Sequence, residues 1–542
     1  MSPMNLPETT SETALKRYGT IVVFSAIMLI GLWLRYDRAV FNSLPGGDEP
    51  SWMSVAAELA RGNGFTTRWY EHPFLEPREL PRPDDYRFPG LAVLLALAFK
   101  AFGIGTQVAR STVVLTWCIA HILLFLLALK TFGRLTALLT LVFSSVSLLQ
   151  IEWTSVVYSE ALFSAVVYGI FLAGVSLDFR RPGYWLTIGV LFGLAYYVRP
   201  NIMVTWPAPV LLGLYRLKKG EIAPVFLLLL VAPLLLIPLP WWIRNAVCFG
   251  NPLHVASGGG FFVYDYIDRF QPSPGAYLSK YGPGHVLMRP VAGAFDFLRL
   301  SVKFEHGLIL PYFLLWIPSA FRYRRSRGMP LLLLTTAAHL PFAFWVAHRD
   351  WSGPRYVLFA FPLLYMFGIK TVLDIVAGFF SFRRRRLVAV ALLAATTLPI
   401  VNPHRYYYRR HHVYKRPEPV QTAGVVAFLR RNLGEHEAYF GLGDGKEFGF
   451  LTNRNSVSFP IVREDSLFVP LVNDLDITFL VTRPGRKKYL ENLLQGVRRR
   501  YGTSYELCLS YHDTWWRVYK IIEKPSNSGR TSGRYSRVCL AR

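Results

Sequence analysis

SLPGGDEPSWMSVAAELARGNG, residues Ser43 to Gly64, sets two adjacent carboxylates, Asp48 and Glu49, shortly after the first long apolar run, Tyr18 to Leu34 (YGTIVVFSAIMLIGLWL). A helix crosses a bilayer with roughly 20 predominantly apolar residues, and runs of that kind recur along the sequence. The chain has 542 residues, 52% of them hydrophobic, and a mean hydropathy of +0.29. It reads as an α-helical polytopic membrane protein. The first run follows Lys16 and Arg17 as a signal peptide would, but it has no small-residue cleavage site and ends in LRYDR, so it is expected to be an uncleaved signal anchor.

A formal net charge of +26 would suggest nucleic acid as the partner of a soluble protein. Here the basic residues punctuate the apolar runs. Lys16/Arg17, Lys130/Arg134, Arg180/Arg181, Arg216/Lys218/Lys219, Arg322/Arg324/Arg325/Arg327 and Arg383 to Arg386 all lie in short connections, as the positive-inside rule requires. The charge is topological, and nucleic acid is excluded as its reason.

Taking each cluster as cytoplasmic predicts spans near 17–36, 111–129, 134–150, 157–178, 184–198, 200–215, 222–243, 305–321, 329–347, 355–381 and 387–401. The N-terminus then lies inside and the C-terminus outside. Leu91 to Phe102 (LAVLLALAFKAF) is too short to span and is assigned to the outer face, on or dipping into the membrane. Exchanging it with a true crossing gives a range of about 11 to 13 transmembrane helices. The predicted organisation is a membrane module, 1–401, with an external loop at 37–88, then a soluble extracytoplasmic α/β domain, 402–525, and a disordered tail, 526–542. Helical spacing in PVQTAGVVAFLRRNL and strand-like ITFLV and TWWRVYKII support the α/β assignment. Of four cysteines, Cys508 and Cys539 fall in this region, where a disulfide is open to them if it is extracytoplasmic.

Asp48 stands where a helix N-cap belongs, Glu49 in the first turn and Pro50 after it, so capping alone accounts for both acids. The same predicted face also gathers Arg87 in RFPG, Glu160 in VVYSEALF, Arg199 in YYVRPN, Arg244 in PWWIRNAVCFGNP and Arg355 in WSGPRYVLFAFP. Any single arginine here could be an anchor whose head snorkels to water. Several arginines with acids on one leaflet suit an anionic lipid head group, whose phosphate oxygens match guanidinium forks. Tryptophans such as Trp241, Trp242, Trp345 and Trp351 read as an interfacial aromatic belt.

In order, GGDEPSWMSVAAELARG, RFPGLAVLLALAFKAFG, SEALF, PWWIRNAVCFGNPLHVASGGG and RYVLFAFPLLYMFG resemble the motifs of the GT-C type glycosyltransferases. The likeness is to the group that includes protein O-mannosyltransferases and the aminoarabinose transferases of lipid A. It implies an inverting transfer of a sugar from a polyprenyl-phosphate donor to a lipid, glycan or protein acceptor outside a bacterial cytoplasmic membrane. By that resemblance Asp48 is the general base, Glu49 and Glu160 shape the site, and Arg87, Arg244, Arg355 and Arg199 hold the donor phosphate. The family's basic residue after the Asp-Glu pair is replaced by Ser51 and Trp52, and the acidic-basic pair of its Pro motif by Tyr86-Arg87-Phe88. A divalent metal is therefore left open, with His306 and His348 as candidates. A transporter or flippase of a lipid-linked sugar is the competing expectation, but it calls for midplane charges, inverted repeats and broken helices.

Overall fold

The computed structural model describes residues 10–41, 47–70, 79–254, 273–304, 309–346, 353–379, 391, 419–442, 448–458, 464–501, 503–514, 516–524 and 539–540. They pack as two compact units. A helical unit is drawn from 1–40, 110–241 and 283–413, and a sheet unit from 41–109, 242–282 and 414–542. Contacts thus group the first loop with the tail, where the sequence suggested a module running unbroken to 401. The predicted span at 387–401 and His306 and His348 lie outside the described residues.

The long helices are α1 (Thr10–Phe41), α2 (Glu49–Arg61), α3 (Pro89–Phe102), α4 (Thr106–Phe132), α5 (Arg134–Val146), α6 (Leu148–Thr154), α7 (Glu160–Ser176) and α8 (Pro182–Val198). There follow α9 (Pro207–Lys218), α10 (Pro224–Leu236), α11 (Leu239–Phe249), α12 (Pro274–Phe304), α13 (Ile309–Tyr323), α14 (Met329–Val346) and α15 (Ala360–Phe379). Among the described residues, 18–37, 106–132, 224–249 and 360–378 are long and apolar enough to cross a membrane. The pair α5 and α6, bent by 63°, makes a fifth such stretch, while α3, α7, α8 and α14 are shorter apolar helices.

Two details show what holds the helical unit. Gly189 and Gly193 on α8 face α10 so closely that a Cβ on Gly193 would lie 2.8 Å from the Pro233 carbonyl, the close approach that small residues permit between membrane helices. The second is Arg35, a fully buried guanidinium on α1. It donates through Nε to Thr154 Oγ1 (2.8 Å), through Nη1 to the carbonyls of Gly31 (3.0 Å) and Ser145 (2.9 Å), and through Nη2 to that of Ser144 (3.5 Å). It also lies over the Trp117 ring at 3.8 Å. An arginine at a helix centre costs about 2.5–3.5 kcal/mol on insertion scales, and each hydrogen bond to a charged group returns about 1.5–3 kcal/mol. The bonds win because the α5/α6 break releases carbonyls that need donors.

Among the described residues the sheet unit has nine strands, β1 to β9 in chain order being Thr66–Thr67, Trp69–Tyr70, Arg82–Pro83, Ala438–Gly441, Asn455–Ser458, Ile477–Thr482, Ser504–His512, Arg517–Lys524 and Cys539–Leu540. The order in the large sheet is β2-β5-β4-β6-β8-β7-β9, while β1 and β3 form a separate antiparallel pair. The first four strands run parallel, and β8 and β7 are antiparallel additions. Alternate residues enter opposite layers. Phe440 and Leu480 pack with Phe468, Leu490 and Val497 from helices 464–474 and 487–501, whereas Tyr439, Phe479 and Val481 pack with Val425, Leu429 and Trp516. Covering both faces is what allows the parallel strands to be near-continuously apolar. Residues 539–540 belong to the tail expected to be disordered, yet they pair in parallel with 508–509; 525–538 lie outside the described residues. Cys508 carries a free thiol.

Candidate active site

In the sheet unit the site begins at α2. Asp48 occupies the N-cap position with φ −85° and ψ −8°, and its side chain makes no capping hydrogen bond. The helix is instead started by Pro50 in its first turn and by the Trp52 N–H on the Asp48 carbonyl (3.3 Å). It is ended by Gly62 at φ 89°, the left-handed C-cap that glycine adopts without strain. Capping therefore does not explain Asp48. Its Oδ1 lies 3.5 Å from Arg87 Nη2, with 24% of the side chain exposed. Glu49 is buried.

Arg87 is aimed by Ser51 and Trp52, the two residues after Pro50. Its Nε donates to Ser51 Oγ at 2.9 Å, and its guanidinium lies 5.4 Å from the Trp52 ring and 4.5 Å from that of Tyr86. Its backbone N–H, with that of Tyr86, is taken by Asp84 Oδ1 (3.1 and 2.7 Å). Beside it Asp85 accepts from Arg82 Nη2 at 2.9 Å and contacts His254 Nε2 at 2.7 Å. Burial and the neighbouring Asp85 charge push the Asp84 carboxyl upward. Burial also works to raise Asp85, yet the hydrogen bond to His254 and the charge of Arg82 carry it below the ordinary value. Arg244 donates to the Phe65 carbonyl (3.3 Å) and to Asn245 Oδ1 (3.1 Å). Asp84, Asp85, Arg82 and His254 were not singled out from the sequence. The run PRPDDYRFPG carried the signal, a second acid pair just before the Pro motif.

In the helical unit, Glu160, Arg199 and Arg355 come together. Glu160 opens α7, nearly fully buried, in contact with Arg199 Nη2 and 3.8 Å from Arg355 Nε. Among the described residues its oxygens find no well-aimed hydrogen-bond donor, so charge rather than hydrogen-bond direction holds the group. Arg199 Nε donates to Ser159 Oγ at 2.9 Å. Arg355 is surrounded by the rings of Trp153, Tyr158 and Tyr356 at 5.3 to 5.4 Å. One acid shared by two guanidiniums leaves the trio positive, which suits an anion. No cluster of three or more potential metal ligands occurs among the described residues.

Residues 82–243, which include Arg87, Glu160 and Arg199, match the dolichyl-phosphate-mannose-protein mannosyltransferase family. The structure is similar over 93% of this chain and 98% of the other to ArnT from Cupriavidus metallidurans bound to undecaprenyl phosphate, with a TM-score of 0.57 at 14% identity. The fold is that of the GT-C glycosyltransferases. This chain is also similar to the archaeal oligosaccharyltransferase AglB from Archaeoglobus fulgidus in complex with an inhibitory peptide and a dolichol-phosphate. That likeness covers 93% of this chain and 74% of the other, with a TM-score of 0.54 at 15% identity. No curated protein sequence gives a significant match.

Proposed function

We propose that the protein is an inverting glycosyltransferase that moves a sugar from a polyprenyl-phosphate donor to an acceptor at the outer face of a bacterial cytoplasmic membrane. The observation that carries this is Asp48, a partly exposed carboxylate at a helix start that is not used as a cap and faces Arg87. A carboxylate so placed takes the proton of an acceptor hydroxyl as its oxygen attacks the anomeric carbon. The bond from that carbon to the phosphate oxygen breaks, and the negative charge that develops on the leaving phosphate is met by guanidinium groups. Arg87 and Arg244 supply them in the sheet unit, and Arg199 and Arg355 keep the anion-binding role assigned to them from the sequence. The relatives of the same fold support the donor class, one bound to undecaprenyl phosphate and one to a dolichol-phosphate.

The finer topology belongs to the same proposal: about 11 to 13 spans, an N-terminus inside, and an extracytoplasmic sheet unit. The competing transporter reading gains one observation, the broken pair α5/α6 beside a buried arginine. Arg35, however, is held by four protein acceptors, which suits a structural brace better than a transport site. The decisive experiment incubates purified protein in nanodiscs with a panel of polyprenyl-phosphate sugars and follows release of polyprenyl phosphate. Release by the wild type and none by Asp48→Asn supports the transferase. Release by both proteins overturns the base assignment, and lipid movement between leaflets with no release overturns the enzyme.

A further inference from the structure

The loop that carries Asp48 is built into the sheet of the tail. Strand β2 is the edge of that sheet and pairs in parallel with β5, Trp69 in register with Ser456 and Tyr70 with Val457. The Ser456 N–H donates to the Arg68 carbonyl at 3.0 Å. Tyr70 is fully buried and belongs to the same apolar layer as Phe440, Val457, Phe468 and Leu480. Tyr86, whose ring lies 4.5 Å from the Arg87 guanidinium, packs against that layer as well. Among the described residues, the opposite layer of the sheet, which holds Phe479 and Trp516, takes no member from the loop.

A buried polar stripe ties this seam to α2. Ser51, Ser54 and Glu58 stand three and four residues apart, so they share one face of the helix. Ser51 receives Arg87. Ser54 Oγ accepts from the Arg68 N–H and from Thr67 Oγ1, both at 3.2 Å. Glu58, with 1% of its side chain exposed, accepts from Arg61 Nη1 at 2.6 Å, Asn63 Nδ2 at 2.8 Å and Arg68 Nε at 3.3 Å. One face of α2 thus holds Arg87 near its start and the seam strand near its end. The helix is about 20 Å long, and Asp48 at its start has no capping bond of its own side chain. The grip on the far end therefore sets where Asp48 stands.

We infer that Tyr70 and Glu58 are positioning residues: Tyr70 anchors the loop in the core of the tail, Glu58 locks α2 to that anchor, and together they fix Asp48 against Arg87. This role deepens the general-base reading of Asp48 and rests on it. The tail is then part of the scaffold of the site, and a misplacement of about 1 Å at a base costs up to about a hundredfold in rate.

The test compares full-length wild type, Tyr70→Ala, Tyr70→Phe, Glu58→Gln and Phe479→Ala in nanodiscs. Phe479→Ala is the control, an aromatic truncation of like size in the opposite layer of the same sheet. Amide hydrogen exchange over residues 49–61 is read first, then release of polyprenyl phosphate from the donor panel. Tyr70→Ala is expected to speed exchange in 49–61 by about tenfold or more, because the anchor is lost. Its kcat should fall about tenfold to hundredfold with KM for the donor little changed, as expected when only the transition-state geometry suffers. Glu58→Gln should move both readouts the same way by less, Tyr70→Phe should restore them, and Phe479→Ala should leave 49–61 and kcat near wild type. Unchanged exchange in Tyr70→Ala would overturn the anchor, and equal loosening by Phe479→Ala would show that the tail acts only by its overall stability. Faster exchange with unaltered kcat would overturn the positioning role. Faster exchange in a protein whose Asp48→Asn variant still releases polyprenyl phosphate would overturn the base assignment and leave the anchor standing.

Discussion

Asp48 and Glu160 are both carboxylates that open a helix and face arginine, one in the sheet unit and one in the helical unit, yet their surroundings differ in kind. Asp48 keeps 24% of its side chain exposed and meets Arg87 at 3.5 Å. Glu160 keeps 1% and is shared between Arg199 and Arg355. Arg87 is steered by Ser51, Trp52 and Tyr86 whether or not Asp48 is charged; the two arginines of the helical unit have Glu160 as their common counter-charge. The difference separates a carboxylate that is partly open to water from one enclosed with its two arginines. Exposed pairs contribute about 0–1 kcal/mol, while removing one partner of a buried pair costs about 3–5 kcal/mol.

The comparison breaks most directly at Asp48. Asp48→Asn is expected to lower turnover by about a hundredfold to ten-thousandfold, the range of general-base catalysis, while thermal unfolding in detergent shifts by less than about 1 kcal/mol. A large loss of stability would make Asp48 structural, like Glu160. The converse substitution, Glu160→Gln, is expected to destabilise by about 3 kcal/mol, near the lower end for buried pairs because the arginines keep 13% and 18% of their side-chain surface. In a double-mutant cycle with Arg199→Met the two losses should fall short of additivity, since the second change removes a charge the first left unpaired. Strict additivity would show that the trio is not coupled.

Arg244→Ala sharpens the contrast within the sheet unit. It is expected to weaken donor binding about tenfold to hundredfold, as truncation of a charged hydrogen-bonding group does, with little change in acceptor affinity; equal donor affinity by titration would remove Arg244 from the site. A pH-dependent effect on stability is expected at Asp85. Its folded pKa lies below the ordinary value, so its pairing with Arg82 and His254 stabilises the protein above the unfolded value of about 3.9. That contribution is lost as pH falls through the depressed folded value. Asp85→Asn should therefore cost about 3–5 kcal/mol near pH 7, because the pair with Arg82 is buried, and the gap to wild type should narrow in acid. A gap that widens in acid would mean that Asp85 does not act as the charged partner.

Periodicity and charge placement made the membrane helices legible because bilayer insertion is governed by length and apolar content, properties a single segment carries alone. The Asp-Glu motif and the arginines at helix ends were equally visible, and the order of the motifs pointed to the fold. The sheet unit was less legible: Trp69–Tyr70 is too short to register as a strand and exists because residues 455–458 offer it a parallel edge. His254 and Asp85 are 169 positions apart, a separation over which no local pattern links them.

The amino-acid sequence by itself determined a basic, multi-helix membrane chain with acids after its first apolar run and arginines at its helix ends, because hydropathy and charge act residue by residue. Only the tertiary structure decided which acids serve which arginines. Asp48 is released from capping by Pro50 and turned toward Arg87, Glu160 is enclosed by Arg199 and Arg355, and Asp85 is fastened to His254. The physical reason is that ion pairing and burial depend on distance in space and on exclusion of water, which the chain acquires when it packs.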